Sequence, residues 1–465
     1  MLFTSVQFLL FFFITTVLFY LLSPKFRWLL LLLASCFFYM AFVPVYILIL
    51  GFTIVIDYLA GIYIEKNTGH KRKSLLIISL VANIGVLCFF KYYNFINDNI
   101  ATALLNFHHQ TPFPYLTILL PIGLSFHTFQ AMSYTIEVYR GNQPAERKFG
   151  IYALYVMFYP QLVAGPIERP QRLLPQFYAT HNFKVENISA GLQQMLIGFI
   201  KKLVVADRVA LFVDNVYNHA ADQSGKSLAL ATVFFAFQIY CDFSGYTDIA
   251  IGAAKVLGFD LMKNFNRPYL SVSLTQFWQR WHISLSTWFR DYLYIPLGGN
   301  RVGNLRRYLN LLIIFLISGL WHGANWTFIA WGLINGLLIV LESVFKISSK
   351  RGHWLTTVCK TIITFLLICF TWVFFRSANI HEAFYILKKI IMFDGTIIQS
   401  NDHYYYAFIV VMALVFFEVI NEYKPNLYKL LPNSFAARCA YYALLVVVIL
   451  QFGVFDGGQF IYFQF

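Results

Sequence analysis

The chain has 465 residues, a length that would allow about three soluble domains. Yet 59% of the residues are hydrophobic, 12% are charged, and the mean hydropathy is +0.63. Soluble domains run about 45–50% apolar and about 25% charged, which sets aside a water-soluble globule, a disordered chain and a secreted disulfide scaffold. The formal net charge of +14 comes from Lys and Arg in short clusters between apolar runs. That is the pattern of the positive-inside rule, not of nucleic-acid binding, and the 19% aromatic content suits interfacial belts.

A helix needs about 20 apolar residues to cross a hydrocarbon core of about 30 Å. Charge-poor runs occur at 2–22, 28–47, 45–64, 74–90, 115–138, 150–167, 189–213, 228–256, 308–345, 355–375, 404–421 and 438–455. They predict about 10–12 crossings, not all of full length. A cleavable leader needs a basic start, a shorter apolar core and a small-residue cleavage site. Residues 1–22 have none of these and read as a retained first span. Lys25 and Arg27 follow the first run, Lys66, Lys71, Arg72 and Lys73 the third, and Arg140, Arg147 and Lys148 the fifth. Residues 92–139 hold no Lys or Arg. That alternation places the N-terminus outside and the basic loops in the cytoplasm; Arg376, Lys388 and Lys389 are misfits to this count. With no low-complexity linker and no inverted repeat, the expectation is an all-α polytopic membrane protein forming a single domain over 1–465. The six cysteines are scattered without a CxxC, so neither a metal site nor a disulfide framework is expected.

Four segments break the apolar pattern. Gly165-Pro-Ile-Glu-Arg-Pro170 reads as a Pro-delimited turn near the surface, with Glu168 and Arg169 structural. In Tyr240–Asp248, Asp242 and Asp248 lie in apolar sequence; buried carboxylates in lipid are usually paired, and Arg267, Arg280 or Arg290 are the expected partners. Residues 275–296 place Trp278, Trp281, Leu285, Trp288 and Tyr292 on one helical face and Arg280, Ser284, Thr287 and Asp291 on another. This predicts one amphipathic helix, capped by Thr275 or Ser273 and ended by Pro296. It either lies in the membrane interface or walls a polar cavity, with His282 at the edge of the aromatic face.

Residues 308–341 carry no formal charge and would run about 50 Å as one helix, so the segment must break or fold into two passes. The break signals are Gly319, Gly323 and Asn325, with His322 among them. An imidazole in apolar sequence must find partners, and it can take and return a proton near neutrality. His322 is therefore either a general base in a water-reachable cavity or a histidine bonded between helices. Ser318, one turn away, is a weak nucleophile candidate, and Asn325 or backbone N–H groups could steady an oxyanion. No GxSxG, HExxH, Walker or Rossmann pattern is present.

Three stretches, QFWQRWHISLSTWFRDYLYIPLGG at 276–299, SGLWHGANWT at 318–327 and YCDFSGYTD at 240–248, resemble the membrane-bound O-acyltransferase family. The bacterial, alginate O-acetylation type fits best, and LPIGLSFHTFQAMSYTIEVYRG at 120–141, AGPIERP at 164–170 and the closing FIYFQF at 460–465 are similar to it too. The resemblance implies a ring of transmembrane helices, with re-entrant and interfacial amphipathic helices, around a funnel in the bacterial inner (cytoplasmic) membrane. It implies a cytoplasmic acyl thioester donor, acetyl-CoA, with no tightly bound cofactor and no metal. It also implies an extracytoplasmic acetyltransferase partner protein and a cell-surface polysaccharide acceptor, alginate-like or peptidoglycan. His322 matches the catalytic histidine and His282 the second recurrent one, acting directly or through a hydrogen bond. Trp321, Asn325, Ser318, Asp242, Asp248, Arg280, Trp281, Arg290 and Asp291 would line or support the channel. Gln279, His127 and Asn335 depart from the pattern, which bears on the acceptor. The rival reading is a transporter or flippase without acyl-transfer chemistry, which would more often show paired broken helices in two related halves. A scaffold would explain neither histidine.

Overall fold

The computed structural model describes residues 1–105, 113–117, 121–163, 165–397, 403–424, 434–455 and 461, and all regular structure among them is helical. The chain divides into two compact units, Met1–Met195 with Ile249–Met262, and Leu196–Asp248 with Lys263–Phe465.

The first unit holds α1 (Val6–Leu21), α2 (Pro24–Met40), α3 (Tyr46–Lys66), α4 (Gly69–Leu105), α5 (Leu124–Arg140), α6 (Phe149–Met157), α7 (Tyr159–Leu162), α8 (Pro170–Leu173) and most of α9 (Val185–Phe199). Ser5 caps α1 by accepting from the Phe8 N–H, and Pro24 opens α2, where a missing N–H costs nothing. α3, α4 and α5 are tied by a buried carboxylate. Asp57 accepts from Ser79 Oγ at 2.6 Å and from Asn83 Nδ2 at 2.9 Å, and Ser79 Oγ also reaches Thr135 Oγ1.

The charge-poor run at 150–167 folds differently from a membrane span. The 150–167 run becomes α6, nine residues, and α7, four, split at Phe158–Pro160. Nine residues rise only about 14 Å, and Ile151–Met157 are all buried, so this run is protein interior. The turn at 165–170 lies deeper than its Pro–Gly composition suggests. Glu168 is fully buried, accepts from the Met262 N–H, and sits 3.8 Å from Arg172 Nε. Burial pushes its carboxyl up to about 7.

The second unit contains a π-helical turn over 200–206, α10 (Asp207–Tyr217), most of α11 (Gly225–Val256), α12 (Leu274–Arg280), α13 (Ile283–Phe289), α14 (Asn304–His322), α15 (Trp326–Val344), α16 (Trp354–Arg376), α17 (Ile380–Met392), α18 (His403–Tyr423) and α19 (Phe435–Phe452). Across the described residues six helices are long and apolar enough to cross a bilayer: α3, α4, α11, α15, α16 and α18. α1 and α19 are shorter apolar helices. The protein is polytopic and all-α. The misfit Arg376 donates to Asp214 Oδ1 at 2.8 Å and to Asn218 Oδ1, so its charge is matched locally.

The uncharged 308–341 run folds back as the α14–α15 hairpin. Its two helices have 19 residues each and rise about 28 Å, and of the two α15 is the one that counts among the six apolar enough to cross. Gly319 and Gly332 let them touch: a Cβ on Gly319 would run into the Phe328 carbonyl, and one on Gly332 into the Phe315 carbonyl. Gly332→Ala should therefore cost about 1–3 kcal/mol of stability, read as a lower thermal midpoint of the purified protein in detergent. Gly51→Ala, where an added Cβ meets nothing within 4 Å, should leave the midpoint unchanged or slightly raised. Equal midpoints for the two variants would show that the hairpin does not depend on this close approach.

Candidate active site

The 275–296 segment is not one helix. Ser273 caps α12, its side chain accepting from the Gln276 N–H at 3.1 Å. Glu342 of α15 accepts from the Leu274 and Thr275 N–H groups at 2.6 and 3.1 Å, placing a carboxylate on the positive end of the helix. α12 then stops: Trp281 is extended and His282 takes the left-handed conformation, φ 43° and ψ 55°, before α13 starts. A non-glycine residue there stores strain of about 1–3 kcal/mol and persists only where its surroundings enforce it. α13 runs into a π-helical turn at Arg290–Tyr294. Periodicity predicted one helix and could not locate the break, because no Gly or Pro marks it, and Ser284, on the expected polar face, is fully buried.

His322 is the last residue of α14. Gly323 is extended, and Asn325 starts α15 by accepting from the Thr327 N–H at 3.0 Å. The Asn325 amide also donates to the Ala378 carbonyl at 2.9 Å. Both ends of that amide take part in building the turn. Asn335, too, bonds within its own helix, donating to the Trp331 carbonyl.

His282 and His322 line one cavity of about 420 Å³. His322 is 5% exposed and sits among aromatic rings: Trp321 at 4.8 Å between centroids, Trp331 edge-on at 5.0 Å, and Phe375 at 5.4 Å. Trp321 also lies 6.2 Å from the His282 ring, so it stands beside both imidazoles. Trp281 packs against Phe277, Phe265 and Trp372, and Trp372 stacks on Trp331 at 5.9 Å and 14°. His282 is buried against Phe243, edge-on at 4.7 Å. Burial pushes its imidazole below the ordinary histidine range, so the ring is neutral.

The cavity follows one face of α14. Arg307, Leu311, Ile314, Phe315, Ser318 and His322 all line it, at helical spacings that span about 22 Å. Its polar end holds Arg290, Tyr294, Asn300, Arg307 and Ser343, and Arg307 donates to Ser343 Oγ at 3.0 Å where the hairpin opens. The far end carries the histidines and tryptophans. Gln279 lines the wall. Arg290 pairs with the neighbouring Asp291 at 2.8 Å.

Asp242 and Asp248 are paired, but not with the expected arginines. Lys202 Nζ lies 2.7 Å from Asp242 Oδ1 and 2.7 Å from Asp207 Oδ1, and Lys201 Nζ lies 2.7 Å from Asp248 Oδ2. Arg280 and Arg267 go instead to Glu422, which Arg351 also meets. Neither aspartate lines the cavity. Sequence reasoning missed Lys201, Lys202, Glu422, Glu342 and Asn264. The signal for the lysines was available: a Lys-Lys pair inside the 189–213 apolar run needs buried anions. His127 is buried in α5 of the first unit. FIYFQF at 460–465 lies, Ile461 apart, outside the described residues. Among the described residues, no three His, Cys, Asp or Glu side chains converge to hold a metal ion.

Residues 73–381 match the family model of the membrane-bound O-acyltransferases. A protein of Pseudomonas aeruginosa named probable alginate O-acetylase AlgI is 40% identical over 379 residues, covering 81% of this chain and 72% of that protein. A peptidoglycan O-acetyltransferase of Helicobacter pylori is 37% identical over 401 residues, covering 80% and 75%. More distant is a teichoic acid D-alanyltransferase of Bacillus subtilis, 27% identical over 291 residues, covering 59% of this chain and 73% of that protein.

Proposed function

The chain belongs to the membrane-bound O-acyltransferase family, and on that premise we propose that it takes an acetyl group from cytoplasmic acetyl-CoA and passes it towards hydroxyls of a cell-surface polysaccharide. It is an O-acyltransferase. The observation that carries the finer reading is the cavity itself, which runs along α14 from two arginines to two histidines.

Arg290 and Arg307 suit the phosphates of a nucleotide-linked thioester. A path of about 22 Å along α14 leads the acyl end to His322. There His322 takes the proton of the attacking hydroxyl as its oxygen bonds to the thioester carbonyl carbon. The carbon–sulfur bond then breaks, the thiolate leaves, and it takes up a proton. Ser318, one turn from His322 on the cavity wall, is the alternative first acceptor if the acyl group rests on the chain.

The acceptor approaches from the opposite face of the membrane, and an extracytoplasmic acetyltransferase partner completes delivery to an alginate-like polymer or peptidoglycan. The site of action is the bacterial inner membrane, and the two units work together as one acyltransferase domain. Relatives named for alginate and for peptidoglycan support both acceptor classes.

The test uses the full chain, purified into lipid nanodiscs, with acetyl-CoA and a polysaccharide acceptor. Release of free thiol should depend on the acceptor and match the acetyl ester formed. Movement of acetyl-CoA or lipid across the bilayer without thioester cleavage would sink the proposal in favour of a carrier.

A further inference from the structure

The strained break before α13 is held by a residue from a separate loop. Asn264 is fully buried. Its backbone carbonyl accepts from the Ile283 N–H at 2.9 Å, and its Oδ1 accepts from the Ser284 N–H at 3.1 Å and from Ser284 Oγ at 2.9 Å. The first N–H groups of a helix have no acceptor within it. His282, at the cap position of α13, supplies no side-chain cap. Asn264 supplies acceptors for the first two, Ile283 and Ser284.

The same amide meets His282 Nδ1 at 3.2 Å, and its orientation is not free. The Ser284 backbone N–H can only donate, so the atom facing it must be Oδ1 and not Nδ2. Oδ1 can only accept, so Nδ1 of His282 carries the proton. In the neutral ring the lone pair is then on Nε2.

We infer that Asn264 is a positioning residue: it presets His282 as the Nδ1–H tautomer, the form that accepts a proton or hydrogen bond at Nε2 during acyl transfer. This rests on the acyl-transfer reading above. The ring is faced by Phe243 of α11, by Phe265 beside Asn264, and by Trp321 of α14. Of the ionisable groups on those elements, Asp242 and Asp248 are paired with Lys202 and Lys201, and Arg280 of α12 with Glu422. Lys263 bonds to Asn266, and His322 shares the cavity. A carboxylate at 264 would therefore add a charge in direct contact with the imidazole.

Asn264→Asp keeps an acceptor for Ser284 and for Nδ1, but its charge favours imidazolium, which cannot accept a proton. The acid limb of the kcat–pH profile should move up by about 1–3 pH units, with activity recovering on the alkaline side. Asn264→Ala frees the tautomer, and kcat should fall by about tenfold or more at every pH, with KM for acetyl-CoA unchanged. Ser284→Ala keeps the Asn264–His282 bond at 3.2 Å and, of the contacts to that ring, loses only the longer Ser284 Oγ–Nδ1 one at 3.5 Å, so the profile should stay in place. The inference is overturned if the Asn264→Asp profile superimposes on that of the unaltered chain. It is equally overturned if Ser284→Ala shifts the profile as much, or if folded Asn264→Ala keeps its kcat. Absence of thiol release by the unaltered chain is a different outcome, and it would remove the acyl-transfer reading itself.

Discussion

Replacing His322 with Ala should lower acyl transfer by about 10²–10⁴-fold, the range expected when a general base is removed. The loss should fall on kcat, because on the proposed reading the phosphates of the donor would be held some 15 residues away along α14, at Arg307, about 22 Å distant. Protein amount should hold, since His322 ends its helix and Asn325, not His322, starts the next. Its packing against Trp331 and Phe375 makes His322→Gln the better volume match. That variant should be as inactive as the alanine, because an amide cannot take the proton at neutral pH. O-acetyl ester on surface glycan, normalised to the amount of membrane-inserted protein, is the measurement. Ester at the unaltered level in either variant would take His322 out of the chemistry.

The second large effect concerns stability. Lys202 is 3% exposed and stands between Asp207 and Asp242, at 2.7 Å from each. Lys202→Met leaves two carboxylates buried without their cation, at a cost of about 3–5 kcal/mol. The expected result is a steep fall in folded protein and in thermal midpoint. Adding Asp207→Asn and Asp242→Asn to Lys202→Met should restore much of both, because neutral amides no longer need the ammonium. Lys201 pairs with Asp248 where both side chains are about one-fifth exposed, so Lys201→Met should cost less, about 1 kcal/mol. If Lys202→Met were as mild as Lys201→Met, the buried triad would not be holding this part of the protein.

Much of this molecule is legible in its sequence for a simple reason: lipid leaves the backbone few options. An uncharged run longer than a bilayer has to turn, and the turn falls at Gly323–Asn325 with His322 on its edge. Other features depend on contacts between distant segments and leave no local trace. The kink at Trp281–His282 is bonded to Asn264, some 18 residues upstream, and a helical-periodicity count over 275–296 passes through it unaware. The ion pairs of Asp242 and Asp248 were misassigned because arginines nearer in sequence seemed sufficient. The lysines that take them come from the π-helical stretch at 200–206, whose wider turn periodicity does not foresee. The α6–α7 segment is as apolar as a true span, and only its broken helix distinguishes interior from lipid-facing chain.

The ring of Trp321, Trp331 and Phe375 about His322 has a bearing on waste. A thioester drawn up beside a competent base is as open to water as to a sugar, and bulk water is some 55 molar. An oily collar denies the small nucleophile the company of its own kind, while a carbohydrate brings its own surface to lie against indole faces. On the proposed reading, a donor held there between turnovers would be shielded from hydrolysis, and turnover would await the arrival of the sugar.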